Sequence, residues 1–169
     1  MRLNAILLAV LTLATANLVP IQEAVLPAPN QVVSSLNETE LRQLLTPINF
    51  GTAKITFKEE KDSEGLTAFY VYEDEGILLS LYQYSDQPGG PVNSLGLTVG
   101  NRLARAVDVR KINDWNSKTR YVKAYVDSEG DAILSSDLLL SPGVTKLTIQ
   151  EWIRTFAKFS REFTDFLKK

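Results

Sequence analysis

Carboxylates pose the first chemical question in this chain. Asp127, Glu129 and Asp131 alternate through "YVDSEGDAIL", and Asp137 follows in the next apolar run. Alternating carboxylates suggest a calcium loop, which needs about six or more oxygens and a late bidentate Glu. Here Gly130 comes too early for such a loop, no distal Glu follows, and both flanks read as strand. A hairpin turn is therefore expected, with Ser128-Glu129-Gly130 as the loop and Asp127 opposite Asp131. As a general acid and base, Asp127 and Asp131 would fit a glycosidase pair, whose carboxyls stand roughly 5 to 9.5 Å apart. A turn tip, however, excludes no water and gives no reason for two pKa values to separate. Asp137 lies inside a strand, where a bond to Tyr121 across the hairpin or an ion pair with Arg120 accounts for it. No catalytic, metal-binding or cofactor-binding residue is assigned, and no cofactor is expected.

The rest of the composition narrows the chemistry further. Among 169 residues there is no Cys and no His, which removes thiolate nucleophiles, Ser-His-Asp triads, imidazole bases and ordinary zinc sites. Gly89-Gly90 lacks the Lys and Ser/Thr of a phosphate loop and reads as surface loop. A net charge of −2 with interspersed signs offers no basic patch, so nucleic acid is not expected as a partner. A hydrophobic content of 44% suffices for one packed domain without disulfides.

The N-terminus carries an address. Arg2, the apolar Ala5 to Leu13 and the small residues Ala14-Thr15-Ala16 read as a secretory signal peptide over residues 1–16. The apolar run is shorter than the ~20 residues of a membrane-spanning helix. No membrane span is expected after cleavage, and the protein is expected to be periplasmic or secreted. Residues 17–31, with three prolines, read as an extended linker, and the domain is placed at residues 32–169.

The elements that must position these side chains follow from periodicity. Asn37 and Glu40 form the reciprocal cap of a short helix bearing Leu41, Leu44 and Leu45 on one face, ended by Pro47. "KITFK", "LTAFYVY" and "ILLSLYQY" read as strands whose acidic joints end in Gly65 and Gly76, each Gly supplying positive φ at the end of a three-residue turn. A further strand covers Leu95 to Val99. Asp108 caps a second helix through Val109, Ile112 and Trp115, ending near Asn116. In the hairpin that follows, Val122, Ala124 and Val126 share the core face with Ala132, Leu134 and Leu138. Tyr121, Lys123 and Tyr125 share the other with Ile133, Ser135 and Asp137. Ile149 to Leu167 form a long amphipathic helix capped by Thr145 or by Thr148 with Glu151. Trp115 and Trp152 could line a ligand groove, but aromatics at helical spacing more often belong to the core.

Asn113 to Asn116 (Asn-x-Trp-Asn), Arg120, Tyr125 with Asp127, Gly130-Asp131, Asp137-Leu138 and Gly143-Val144-Thr145 resemble the YbjN family of small bacterial proteins. The resemblance extends more weakly from about Val32 to Phe166. It implies the fold of type III secretion chaperones, which is α+β. An antiparallel sheet of five or six strands is expected, in the order helix, three or four strands, helix, β-hairpin, long C-terminal helix. It also implies a regulatory module without established catalytic residues. The expected function is an exported, non-enzymatic protein- or peptide-binding domain of the bacterial envelope, as a homodimer. Its candidate contact residues are Trp115, Asn116, Arg120, Tyr121, Tyr125 and Asp137. The alternatives are a carboxylate-dependent hydrolase, a carbohydrate-binding protein, or a domain that only stabilises an envelope assembly.

Overall fold

The computed structural model describes residues 30–50, 55–61, 67–74, 76–87, 90–103 and 106–169. The stretches expected as signal peptide and, for the most part, as linker, the Asp62 to Gly65 joint and Gly89 lie outside the described residues. In chain order the elements are β1 (Val32–Val33), α1 (Glu38–Leu45), β2 (Ile55–Lys61), β3 (Thr67–Glu73), β4 (Gly76–Tyr84) and β5 (Ser94–Asn101). They continue with α2 (Val109–Lys118), β6 (Lys123–Val126), β7 (Ala132–Leu139), β8 (Val144–Thr145) and α3 (Lys146–Lys168). Strands β2 to β7 form one antiparallel sheet in the order β2-β3-β4-β5-β7-β6, and β1 pairs with β8 in a separate two-stranded ribbon. The expected α+β class and element order hold.

Period-two alternation decides which face of the sheet is covered. Phe69 and Val71 of β3, Leu79 and Leu81 of β4, Leu95, Leu97 and Val99 of β5 and Leu134 of β7 are buried on one face. Helix α3 crosses that face, inserting Ile149, Ile153, Phe156 and Phe163 into the core. Polar contacts fix its position. Ser160 Oγ donates to the Leu78 carbonyl at 2.6 Å, Thr164 Oγ1 to Asn101 Oδ1 at 2.9 Å and Gln150 Nε2 to the Leu44 carbonyl at 3.2 Å. Arg161 grips Glu73 through Nε at 2.8 Å and donates from Nη2 to the Phe50 carbonyl at 2.6 Å. Such a planar fork satisfies a carboxylate and a carbonyl together.

Helix α1 has the expected cap: Glu40 N donates to Asn37 Oδ1 and Asn37 N to Glu40 Oε2, both at 2.9 Å. Thr145 caps α3, accepting from Thr148 N at 3.1 Å. Two expectations change. Glu73 pairs directly with Gly76, so the β3–β4 link is two residues long, and the positive φ falls at Asp74 (55°) rather than at the glycine. Asp74 tolerates that conformation because its short polar side chain can bond locally. Helix α2 runs past Asn116 to Lys118, because the Asn116 side chain is occupied in joining the helix to β6.

Candidate functional site

The acidic turn is neutralised by its own surroundings. Asp127 Oδ1 accepts from the amides of Glu129 and Asp131 at 2.9 Å each, and Asp127 N donates to the Asp131 carbonyl at 3.0 Å. Gly130 takes φ 88°, as a three-residue hairpin loop requires. Arg102 from the end of β5 then bridges the remaining acids, with Nε 3.1 Å from Asp131 Oδ2 and Nη2 2.7 Å from Glu129 Oε2. Among the described residues no group of three or more acidic or metal-ligating side chains could hold a metal ion.

The six candidate contact residues separate into three places. Trp115 is buried at 7% exposure, with ring centroids 5.0 Å from Phe163 and 5.3 Å from Phe166, and joins α2 to α3 in the core. Asn116 donates from Nδ2 to the Ala124 carbonyl and accepts at Oδ1 from Ala124 N, both at 2.9 Å. It thereby imitates a neighbouring strand for β6. Both residues hold the fold together.

Tyr125 and Asp137 lie on the sheet face opposite the helices. Tyr125 carries Lys123 Nζ 5.8 Å from its ring centroid. Asp137 sits opposite Gly96 in the ladder and is exposed, so it makes neither the expected bond to Tyr121 nor the ion pair with Arg120. Tyr121, at φ 72°, precedes β6 and departs from its alternation, so its side chain leaves the face that carries Asp137 for the α3 side. The same outer face carries Tyr70, Tyr72, Tyr82 and Tyr84 on β3 and β4. Gly96 leaves room there for the Tyr84 ring: a Cβ on this glycine would stand 2.8 Å from Tyr84 Cε2.

Tyr121 and Arg120 occupy the third place, between α2 and β6. Tyr121 is 77% exposed and adopts φ 72°, a left-handed conformation that a bulky residue rarely takes. Ser136, buried on the core face of β7, holds it there: its Oγ donates to the Tyr121 carbonyl at 2.9 Å and accepts from Trp152 Nε1 at 2.8 Å. This Trp-Ser-carbonyl chain ties the strained residue to α3. Its side chain stands at a shallow groove of about 440 Å³, lined by Tyr121, Leu147, Thr148, Glu151, Trp152 and Thr155. Leu147 is 41% exposed in that wall. Arg120, the residue before Tyr121, is exposed and makes no ion pair among the described residues.

Sequence reasoning named Trp152 as a possible groove residue but paired it with Trp115, which the fold buries elsewhere. It missed Ser136 and Leu147. Ser136 carries a signal, a polar residue at a core position of "AILSSDLL", which in a packed sheet needs a partner. No local pattern places Leu147 beside Tyr121.

A six-stranded antiparallel sheet with its helices on one face, closed by a long C-terminal helix, defines a small α+β domain of one-sided architecture. The chain belongs to the YbjN family, described as "Putative bacterial sensory transduction regulator", which matches residues 50–169. That description is compatible with a non-enzymatic regulatory module. Comparison with curated proteins finds no match.

Proposed function

We propose that the protein is an exported regulatory binding module of the bacterial envelope. It acts without catalysis and receives an apolar segment of a partner protein in the groove between Tyr121 and Trp152. The observation that carries the reading is the exposed Tyr121 side chain held at φ 72° by the Ser136 and Trp152 hydrogen bonds. Backbone strain of this kind persists where the surrounding structure over-determines it, and it clusters at binding and active sites. Rigid, partly exposed aromatics are also the residues that anchor protein interfaces. Export rests on Arg2, the apolar Ala5 to Leu13 and Ala14-Thr15-Ala16. A homodimer belongs to the same reading, and sedimentation of the pure protein tests it.

The deciding experiment is a crosslinking capture from a bacterial envelope extract with the wild-type protein, Tyr121→Ala and Tyr125→Ala. Capture of one partner by the wild type and by Tyr125→Ala, with loss in Tyr121→Ala, supports the groove. Equal capture by all three removes it.

A second reading is favoured by the row of tyrosines on the outer sheet face, with Asp137 opposite Gly96. Aromatic rings beside a carboxylate suit a carbohydrate, whose apolar ring face stacks while its hydroxyls donate. Loss of glycan-array binding on Tyr84→Ala, with Tyr121→Ala unaffected, would select this face instead.

A further inference from the structure

The two ends of the six-stranded sheet differ. At one end the Asn116 side chain takes the amide and carbonyl of Ala124, so the outer edge of β6 is already occupied. At the other end no strand among the described residues pairs with the far side of β2, whose Thr56, Lys58, Glu59, Glu60 and Lys61 are exposed. Such an edge presents a row of backbone donors and acceptors to a further strand. Its seven residues, at about 3.4 Å each, make it roughly 24 Å long, enough for a full ladder.

Charge decides which strand fits. Lysine and glutamate on an edge ordinarily discourage pairing, but the order Lys58-Glu59-Glu60-Lys61 complements itself when the strand is reversed. When two copies pair antiparallel about a two-fold axis normal to the sheet, opposed residues come from the same face, so the axis passes through a residue. An axis at Lys58 would set Lys58 against itself, and one at Glu60 would set Glu60 against itself. An axis at Glu59 sets Lys58 opposite Glu60 of the second copy, twice, on the outer face beside Tyr70. Lys58 and Glu60 already bridge one another within the chain, and across the axis the four groups close into a ring of alternating charge. Glu59 then meets its own copy on the other face, where Arg42 neutralises each carboxylate, with Nη2 2.7 Å from Oε2. The pairing of Glu59 with Lys61 that an axis at Glu60 would offer calls on groups already engaged, since Lys61 Nζ stands 3.6 Å from Glu38 Oε2.

We infer that β2 pairs antiparallel with β2 of a second copy about Glu59, joining the two sheets into one. This rests on the homodimer in the proposed reading and names its interface. Tyr121 precedes β6 at the far end of the sheet, so the grooves of both copies stay open. A partner with two apolar segments would be held at both, with the gain in avidity that linkage gives.

Sedimentation equilibrium of the full chain tests the interface. The wild type is expected to dimerise, and Lys58→Glu or Glu60→Lys alone to weaken the dimer by roughly tenfold or more, because each sets two like-charged pairs across the axis. Both substitutions in one chain are expected to restore it, and an equimolar mixture of the two single variants to form a heterodimer. These recoveries are gains of association, which misfolding cannot imitate. A monomeric wild type overturns the interface together with the homodimer. A wild-type dimer that both single variants retain unchanged overturns the interface and leaves the homodimer standing. Weakening in the single variants, with no recovery in the double variant or the mixture, overturns the pairing about Glu59. Capture by Tyr121→Ala reads the groove independently of all these outcomes.

Discussion

The Ser136 hydroxyl donates to the Tyr121 carbonyl at 2.9 Å, joining a buried position of β7 to a residue whose side chain is 77% exposed. Because the same oxygen accepts the Trp152 indole proton at 2.8 Å, one side chain coordinates the turn, the sheet and α3. Removing it orphans two polar groups at once.

Ser136→Ala is expected to destabilise the fold by about 1 to 3 kcal/mol, the cost of leaving buried partners unpaired. Trp152→Phe, which removes only one of the two bonds, is expected to keep Tyr121 in place. Urea midpoints measure the first effect. Backbone shifts at Tyr121 separate the two variants, moving in Ser136→Ala alone.

At φ 72° Tyr121 occupies a conformation that costs an L-residue roughly 1 to 2 kcal/mol and glycine almost nothing. Tyr121→Gly is therefore expected to be more stable than Tyr121→Ala by about 1 kcal/mol. Both variants lose the groove wall and should capture no partner. Thermal denaturation with the capture assay tests both halves, and a Gly variant less stable than the Ala variant would contradict the strain.

Asn116→Ala is expected to loosen β6 from α2, because both bonds to Ala124 disappear. A loss of about 1 to 3 kcal/mol follows if neither backbone group finds water. Asn116→Asp should not rescue it, since a carboxylate cannot donate to the Ala124 carbonyl. Amide hydrogen exchange at Ala124 reports the loss locally.

Tyr70 gives a pH dependence with a defined sign. Its hydrogen bond with Tyr82, followed by burial, pushes the Tyr70 hydroxyl from its ordinary 10 up to about 12. The folded state holds this proton more tightly than the unfolded state, so the stabilisation is complete below about pH 10 and is lost as pH rises toward 12. Melting temperatures across that window should fall more steeply for the wild type than for Tyr70→Phe. Parallel curves would refute the assignment.

Much of the scaffold is legible in the linear chain because its signals are local. The Asn37–Glu40 cap, the Asp108 cap, the hairpin loop at Ser128-Glu129-Gly130 and the apolar stripe of α3 each lie within a few residues. Backbone sterics and hydrogen bonding at that range leave few choices. The alternation of Ala124 and Val126 against Ala132 and Leu134 likewise settles the hairpin register, since a slip of one would turn the core face outward. The family-like motif from Asn113 to Thr145 is of the same kind: Trp115, Asn116, Asp127 and Gly130 each answer a local demand of packing or turn.

What the sequence by itself determined is therefore the α+β class, the order of its elements and the absence of cysteine and imidazole chemistry. Only the tertiary structure decided where the candidate contacts fall. Trp115 enters the core because α2 lies against Phe163 and Phe166, residues distant in sequence. Asp137 faces the outer sheet surface and Tyr121 the α3 groove, because a single left-handed residue breaks the alternation that would have kept them on one side. Side-chain neighbours across 15 residues, as between Tyr121 and Ser136, or across 26, as between Tyr121 and Leu147, are set by how α3 docks on the sheet. Docking is governed by the summed burial of many apolar side chains, and no short stretch of the chain encodes that sum.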